Sequence, residues 1–157
     1  MDRKKIAIFT GNRAEYGLLN PLIRELSSRA SFEVYLIISG SHLLEDFGKT
    51  VCEIDTSMVK SIRKIPLSVT DANKKVELLL LFSDVIREGT TALANLNPQF
   101  LILAGDRYET FAMAVTAYYL NIPIVHLFGG DLSQGGHLDD SVRHSITKIA
   151  HLHFTTN

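Results

Sequence analysis

Cysteine is almost absent from this sequence, since Cys52 is the only one in 157 residues. No disulfide can form within the chain, which favours a reducing, cytoplasmic location. An excess of one charge is also missing, because 16 basic and 17 acidic side chains give a formal net charge of -1. A nucleic-acid-binding protein would be expected to carry a basic face, so we predict no nucleic-acid partner. Any anionic ligand must then be held by local donors.

Long apolar runs are missing too, and the longest falls far short of the ~20 residues needed to cross a bilayer. The N-terminal segment MDRKKIAIFT is basic and then apolar, like a signal peptide. Its apolar run is too short for one, and Gly11-Asn12-Arg13 follows at once. Because repeats, low-complexity runs and linkers are absent as well, we predict one soluble domain over residues 1–157 and no membrane partner.

The chain does contain short β-branched runs that alternate with longer segments of helical period, which is typical of βαβ units around a parallel sheet. The fold class predicted is α/β, a Rossmann-like parallel sheet with helices on both faces. The predicted strands are Lys5–Thr10, Phe32–Ser39, Lys60–Ile65, Phe100–Ala104, Ile122–Leu127 and His151–Thr155. The predicted helices are Tyr16–Ser28, Asp71–Leu96 with Asp71 as its N-cap, Tyr108–Leu120 and Ser141–Ala150.

Polar clusters follow these strands, and ligands of open parallel sheets bind beyond the carboxyl ends of the strands. The first cluster, GNRAEYG, joins the first strand to its helix, where free N–H groups and Arg13 could hold a phosphate. It is neither GxGxxG nor GxxxxGKS, so it is neither a dinucleotide fingerprint nor a Walker loop. A plain strand–helix turn with a surface arginine is the alternative.

The second cluster, AGDRYET, places Asp106 and Glu109 at a junction between a strand and a helix. Asp106 is a candidate for catalysis, and capping of the next helix is its alternative role.

The third cluster runs from HLFGGD through a glycine-rich stretch to DDSVRH. The stretch Gly129–Leu138 predicts a mobile loop beside a ligand. Asp139 and Asp140 come just before a predicted helix, so capping is an alternative for both. His144 lies one helical turn beyond Asp140, close enough for the two to interact.

Three histidines suggest a metal site, but only weakly. His151 and His153 share one strand face, and His126 precedes them. With no cysteine and no further acid near them in the sequence, we predict no metal.

Taken together, GNRAEYG, AGDRYET, HLFGGD and DDSVRHSITKIAHLHF resemble the hydrolysing UDP-N-acetylglucosamine 2-epimerases of sialic-acid and related nonulosonic-acid pathways. The resemblance covers essentially the whole chain. It implies the first half of a two-domain, glycosyltransferase-B-like fold, with the substrate in the cleft between two Rossmann-like domains. It implies that a UDP-sugar loses its C2 proton and UDP to give a 2-acetamidoglucal. Water then adds at C1 and a proton returns to the opposite face of C2, giving N-acetylmannosamine without a cofactor.

The resemblance also implies the site residues. Arg13 is expected near the phosphates, and Asp106 is a candidate general acid/base; protons leave and return at carbon, so such groups must line the sugar. The catalytic candidates are Asp106, Asp131, Asp140 and His144. The substrate-binding candidates are Arg13, Glu109, Arg143, Gly129 and Gly130.

The sequence departs from the family pattern at two points. Phe128 stands where relatives commonly have histidine or glutamate, so a proton-transfer role there must pass to Asp131 or Asp106, or the substrate differs. The chain also stops at Asn157, directly after a predicted strand, whereas an open sheet usually continues. We therefore expect the C-terminal domain to be missing, this piece alone to be inactive, and the full-length protein to be a homo-oligomer, a dimer or tetramer.

Three alternatives stay open at this point. One is the same chemistry on another UDP-2-acetamido sugar, such as UDP-diacetylbacillosamine, because the motifs belong to the shared acetamido-sugar core. Another is a non-catalytic nucleotide-sugar-binding module, although carboxylates near a diphosphate disfavour a pure anion binder. The last is half of a glycosyltransferase.

Overall fold

The computed structural model describes residues 3–43, 50–68, 75–132 and 138–156. Six strands form one sheet in the order β3-β2-β1-β4-β5-β6, and the strand pairs are parallel. The strands are β1 Lys4–Thr10, β2 Phe32–Ile38, β3 Ser61–Lys64, β4 Phe100–Ala104, β5 Ile124–Leu127 and β6 Leu152–Phe154. The predicted α/β class and its parallel sheet are confirmed.

Four helices join the strands: α1 Arg13–Ser28, α2 Lys75–Leu96, α3 Tyr108–Tyr119 and α4 Leu138–Ile149. Two short 3-10 turns, Gly40–Leu43 and Thr50–Glu53, lie between β2 and β3. Helix α4 begins earlier than predicted, so the expectation that Asp139 and Asp140 precede it is wrong, and both lie in its first turn. The N-cap predicted at Asp71 lies outside the described residues.

The sheet is covered on both faces, as the apolar strands predict. Alternate residues of β1 point to opposite faces: Ala7 and Phe9 pack in one cluster, Ile6 and Ile8 in the other. Helices α2, α3 and α4 contribute to the first cluster, and α1 contributes to the second. None of the helices in the described ranges is long and apolar enough to cross a membrane.

Strand β1 pairs with both β2 and β4, so the order of the strands reverses there. At such a switch point the loops after the two strands diverge and leave a crevice at the carboxyl edge of the sheet. The loop after β1 begins at Gly11, and the loop after β4 begins at Gly105. The fold therefore brings the first two motif clusters to the two sides of one crevice.

Candidate active site

Arg143 connects the polar residues that follow β4 and β5 with the first turn of α4. Its Nη2 donates to Asp106 Oδ2, and its Nη1 donates to Asp140 Oδ1 at 3.0 Å and to the Asp131 carbonyl at 2.7 Å. Only 12% of the Arg143 side chain is exposed. Burial would lower the pKa of Arg143, but the hydrogen bond and the charge of Asp106 raise it, so the guanidinium stays charged. The structure thus places three predicted site residues, Asp106, Asp131 and Asp140, around the Arg143 guanidinium.

Asp106 does not cap the helix that follows it. Helix α3 has Arg107 at its N-cap position, without a hydrogen bond from the capping side chain. The Asp106 carboxylate pairs with Arg143 instead, and 22% of its side chain is exposed. Capping was the structural alternative for Asp106, and this geometry removes it.

Asp131 is held at both its main chain and its side chain. While its carbonyl accepts from Arg143, its Oδ2 accepts a hydrogen bond from Thr156 Oγ1 at 2.8 Å. Thr156 follows β6, so the carboxyl ends of β5 and β6 are tied together here.

A second polar cluster lies inside the crevice at the switch point, and it consists of Glu15, Arg107, Glu109 and Thr110. Glu15 Oε2 accepts from the Gly11 N–H at 2.7 Å, and its Oε1 accepts from Thr110 Oγ1 at 3.3 Å. Glu109 is fully buried, and its Oε1 accepts from Arg107 Nε at 3.1 Å. Among the described residues, Glu109 Oε2 has no hydrogen-bond partner.

Burial controls the protonation of these two acids. It raises the pKa of Glu15 to about 7, with a further rise from Glu109, and the Gly11 N–H, Arg107 and Thr110 only partly oppose it. Burial also raises the pKa of Glu109, which Arg107 opposes. Two carboxyl groups beside one guanidinium therefore hold a proton near neutral pH.

Glu109 fits this position only because glycines lie next to it. A Cβ atom on Gly11 would come within 2.5 Å of Glu109 Cγ. Gly40 has a φ of +62°, and a Cβ on it would come within 2.9 Å of Glu109 Oε1. The predicted substrate-binding role of Glu109 stays a prediction, and the structure shows its side chain packed close to Gly11 and Gly40.

Arg13 lies on the other side of the crevice, at the first residue of α1. Its Nε is 2.8 Å from Glu53 Oε2, and 72% of its side chain is exposed. Glu53 is thus its partner in this structure, and its predicted substrate-binding role stays a prediction.

His144 lies outside the crevice and outside the cluster around Arg143. It is exposed and lines a groove between α3 and α4 with Phe111, Val115 and Tyr118. Its neighbour Arg143 points to Asp106 instead. The structure does not bring His144 to the crevice, and its catalytic role remains a prediction.

Gly129 and Gly130 follow β5 with different environments. Gly129 is buried, and a Cβ on it would lie 2.6 Å from His126 Nδ1 and 2.7 Å from Thr147 Oγ1. Gly130 is exposed with a φ of +84°.

Phe128, the departure from the family pattern, also has a positive φ of 61°, which is rare for an aromatic residue. Part of the loop predicted to be mobile, residues 133–137, lies outside the described residues.

Three residues of this region were not predicted from the sequence. Glu15 and Arg107 were not among the candidates, and His126 was not given a structural role. Glu15 has a polar side chain in a helix with an apolar stripe, and nothing in its spacing shows that it is 7% exposed. Arg107 stands between two predicted site residues, which was an available signal. His126 was considered only as a metal ligand, and no group of three or more possible ligands occurs among the residues that the structure describes.

The strand order and the carboxyl-edge crevice define a Rossmann-like α/β protein of the glycosyltransferase-B type. A family model described as UDP-N-acetylglucosamine 2-epimerase matches residues 24–157, and the chain belongs to this family. The hydrolysing GDP/UDP-N,N'-diacetylbacillosamine 2-epimerase of Campylobacter jejuni is 36% identical over 157 residues, which cover 100% of this chain and 40% of that protein.

Two further comparisons concern Neisseria meningitidis. Its UDP-N-acetylglucosamine 2-epimerase is 30% identical over 161 residues, covering 98% of this chain and 39% of the relative. A crystal structure of the enzyme from this organism bound to UDP-GlcNAc matches with a TM-score of 0.76 and 22% identity, covering 97% of this chain and 39% of that one. The chain thus spans about two fifths of the length of the relatives it matches.

Proposed function

We propose that this chain is the N-terminal half of a hydrolysing 2-epimerase that acts on a UDP-2-acetamido sugar. The observation that carries the proposal is the gathering of Asp106, Asp131 and Asp140 around Arg143, next to the crevice at the switch point. Epimerisation at C2 removes a proton from one face of the sugar and returns one to the other. This needs more than one group able to exchange protons. Arg143 holds the carboxyl groups of Asp106 and Asp140, and the carboxyl group of Asp131 is held by Thr156.

The reaction proposed is an elimination followed by an addition. A carboxylate of the cluster, for which Asp106 is our candidate, accepts the C2 proton while the C1–O bond breaks and its electron pair leaves with UDP. Water then adds its oxygen to C1 of the 2-acetamidoglucal, and C2 takes a proton on the opposite face. The products are UDP and the free 2-epimeric sugar, which is N-acetylmannosamine when the substrate is UDP-GlcNAc. The electrons balance without a redox cofactor.

Two sugars compete as substrate. UDP-GlcNAc is our prediction from the motifs, and the structure of a relative holds it. The Campylobacter relative named for diacetylbacillosamine is more similar than the Neisseria relative named for GlcNAc, at 36% against 30% identity. Because of this difference, we keep UDP-diacetylbacillosamine as a second candidate substrate.

The test is turnover of both UDP-sugars by the full-length protein in deuterium oxide. We expect release of UDP, with one deuterium at C2 of the epimerised free sugar, because the returning proton comes from solvent. The ratio of kcat/KM for the two sugars identifies the substrate. Release of UDP with an unlabelled, unepimerised sugar would show a plain hydrolase and contradict the proposal, as would an absence of UDP release from both.

A further inference from the structure

His126 uses both ring nitrogens in the interior of the protein. It lies in β5 and is 0% exposed. Its Nε2 is 2.8 Å from the carbonyl oxygen of Gly105, and its Nδ1 is 3.1 Å from Thr147 Oγ1. These contacts join β5 to the loop after β4 and to helix α4.

The two contacts define the protonation of the ring. A carbonyl oxygen can only accept, so Nε2 carries the hydrogen and donates it to Gly105. Burial lowers the pKa of His126, which the Gly105 carbonyl and Asp106 partly oppose and His153 and Arg143 reinforce. In the neutral ring Nδ1 has a free lone pair, so it accepts the hydrogen of the Thr147 hydroxyl.

Both partners of His126 lie next to the Asp106–Arg143 pair. Gly105 directly precedes Asp106 and has a φ of +79°, so its conformation sets the direction in which the next residue leaves the sheet. Thr147 lies one helical turn beyond Arg143 in α4. The ring therefore spans the two segments that supply the two halves of the ion pair.

Gly129 completes this arrangement by its lack of a side chain. A Cβ atom there would lie 2.6 Å from His126 Nδ1 and 2.7 Å from Thr147 Oγ1, against both atoms of their hydrogen bond. Even alanine would force the two apart.

We propose that His126, through Gly105 and Thr147, is a positioning residue that fixes the Asp106 carboxylate against Arg143, and that Gly129 is required to leave room for it. The inference rests on the proposed function, in which Asp106 acts on the sugar. His126 is enclosed and does not contact the substrate, so its effect reaches the reaction only through the placement of Asp106.

The test compares variants that keep one hydrogen bond with variants that keep none. In His126→Gln the side-chain amide nitrogen can replace Nε2 and donate to Gly105, whereas in His126→Asn the shorter amide can replace only Nδ1. His126→Leu keeps neither. Thr147→Ser keeps the hydroxyl, and the isosteric Thr147→Val removes it.

We expect kcat to fall by about 10-fold to 100-fold when the arrangement is lost, because misplacing a reacting group by about 1 Å costs up to about 100-fold. The expected order of kcat is wild type, His126→Gln, His126→Asn and then His126→Leu, with Thr147→Ser near wild type and Thr147→Val well below it. KM should change little, because His126 is buried and acts only on the placement of Asp106. His151→Asn is the matched control, since His151 is exposed just before β6 and the asparagine amide can replace Nδ1 as acceptor from the Ile124 N–H.

A second measurement does not depend on turnover. Nitrogen NMR of the labelled full-length protein should show His126 with a protonated Nε2, an unprotonated Nδ1 and a pKa below that of an ordinary histidine, because the ring is buried. A wild-type protein inactive on both sugars would contradict the proposed function, and the ring signals would still test the contacts of His126. Full kcat in folded Thr147→Val and His126→Leu, or a ring protonated at Nδ1, would overturn the positioning role.

Discussion

For Asp106, the structure decides between a helix cap and a residue of the candidate site. An aspartate before a helix is most simply a cap, but here its carboxylate is paired with Arg143 from α4. The pair joins residues 37 positions apart in the sequence. An arginine that touches Asp106, Asp140 and the Asp131 carbonyl also cannot be replaced well by lysine, which lacks the forked donors.

We therefore expect Asp106→Asn to lower kcat of the full-length protein by at least ~100-fold, since a positioned acid or base contributes about 100-fold to 10,000-fold. The melting temperature should change little, because the amide has nearly the same shape and the helix cap does not depend on it. Asp55→Asn is the control, as Asp55 is a partly exposed aspartate paired with Ser57 far from the cluster. An Asp106→Asn protein with wild-type kcat would remove Asp106 from the chemistry.

The raised pKa of Glu15 predicts how the free energy of unfolding depends on pH. Its pKa in the folded protein is about 7, against an ordinary value of 4.5, with burial as the main cause. The folded state thus keeps a proton that the unfolded chain has released, so the free energy of unfolding falls as the pH rises from 4.5 to about 7. The loss is on the order of 3 kcal/mol and is complete above the folded-state pKa. Glu109 has a raised pKa as well, and it acts in the same direction.

Glu15→Gln should remove most of this slope and stabilise the protein by roughly 2–3 kcal/mol at about pH 8. Glutamine keeps an oxygen to accept from the Gly11 N–H and carries no charge to bury. Urea unfolding at a series of pH values measures the effect, with Glu25→Gln, an exposed acid of the same helix, as the control. If the variant and the wild type lose stability in parallel, Glu15 is ionised in the folded state and the prediction is wrong.

At the scale of elements, the start of α1 depends on Asn12. Its Oδ1 accepts from the Glu15 N–H at 3.0 Å, which satisfies one of the free donors of the first turn. Asn12→Ala should lower the free energy of unfolding by about 1 kcal/mol, the usual cost of losing such a cap. Asn95→Ala, at an exposed site within α2, should cost nothing, because alanine is the better helix former. Equal unfolding midpoints for the two variants would mean that Asn12 is not a working cap.

The sequence predicted all the described strands and helices because each carries its own signal. The central strands are apolar runs such as Phe100–Ala104, and helices such as α1 have a buried stripe. The ends were less predictable: α1 starts at Arg13 because Asn12 caps it, and α4 starts at Leu138. An apolar stripe reports the buried face of a helix and says little about its first turn.

The candidate site was predictable in its location and less so in its contacts. Strand ends in a parallel sheet meet at one edge, so the motif clusters had to converge. The pairing of Arg143 with Asp106, and the burial of Glu15 and Glu109, depend on distances between segments far apart in the chain. No local pattern contains those distances, and the partners of His126 follow only from the folded geometry.

At the scale of the whole molecule, three arginines described at the carboxyl edge already have carboxylate partners. Arg13 pairs with Glu53, Arg107 with Glu109, and Arg143 with Asp106 and Asp140. A UDP-sugar brings two negative charges on its diphosphate, and each of these three arginines already shares its charge with a carboxylate. Since the chain spans about two fifths of its relatives' length, we propose that the remaining part of the protein supplies the diphosphate donors.

The 157-residue chain should therefore fold, because its sheet is packed on both faces, yet release no UDP from either sugar. Its affinity for UDP should also be weaker than that of the full-length protein by at least about 100-fold, because each charge-assisted contact that it lacks is worth roughly 1.5–3 kcal/mol. Titration calorimetry with UDP measures the affinity, and circular dichroism with cooperative urea unfolding shows whether the chain is folded. Adding the separately produced C-terminal part should restore both binding and turnover if the two halves associate. Tight UDP binding by the folded chain alone would place the diphosphate donors at this edge, and Arg13 would then be the first residue to exchange its carboxylate for phosphate.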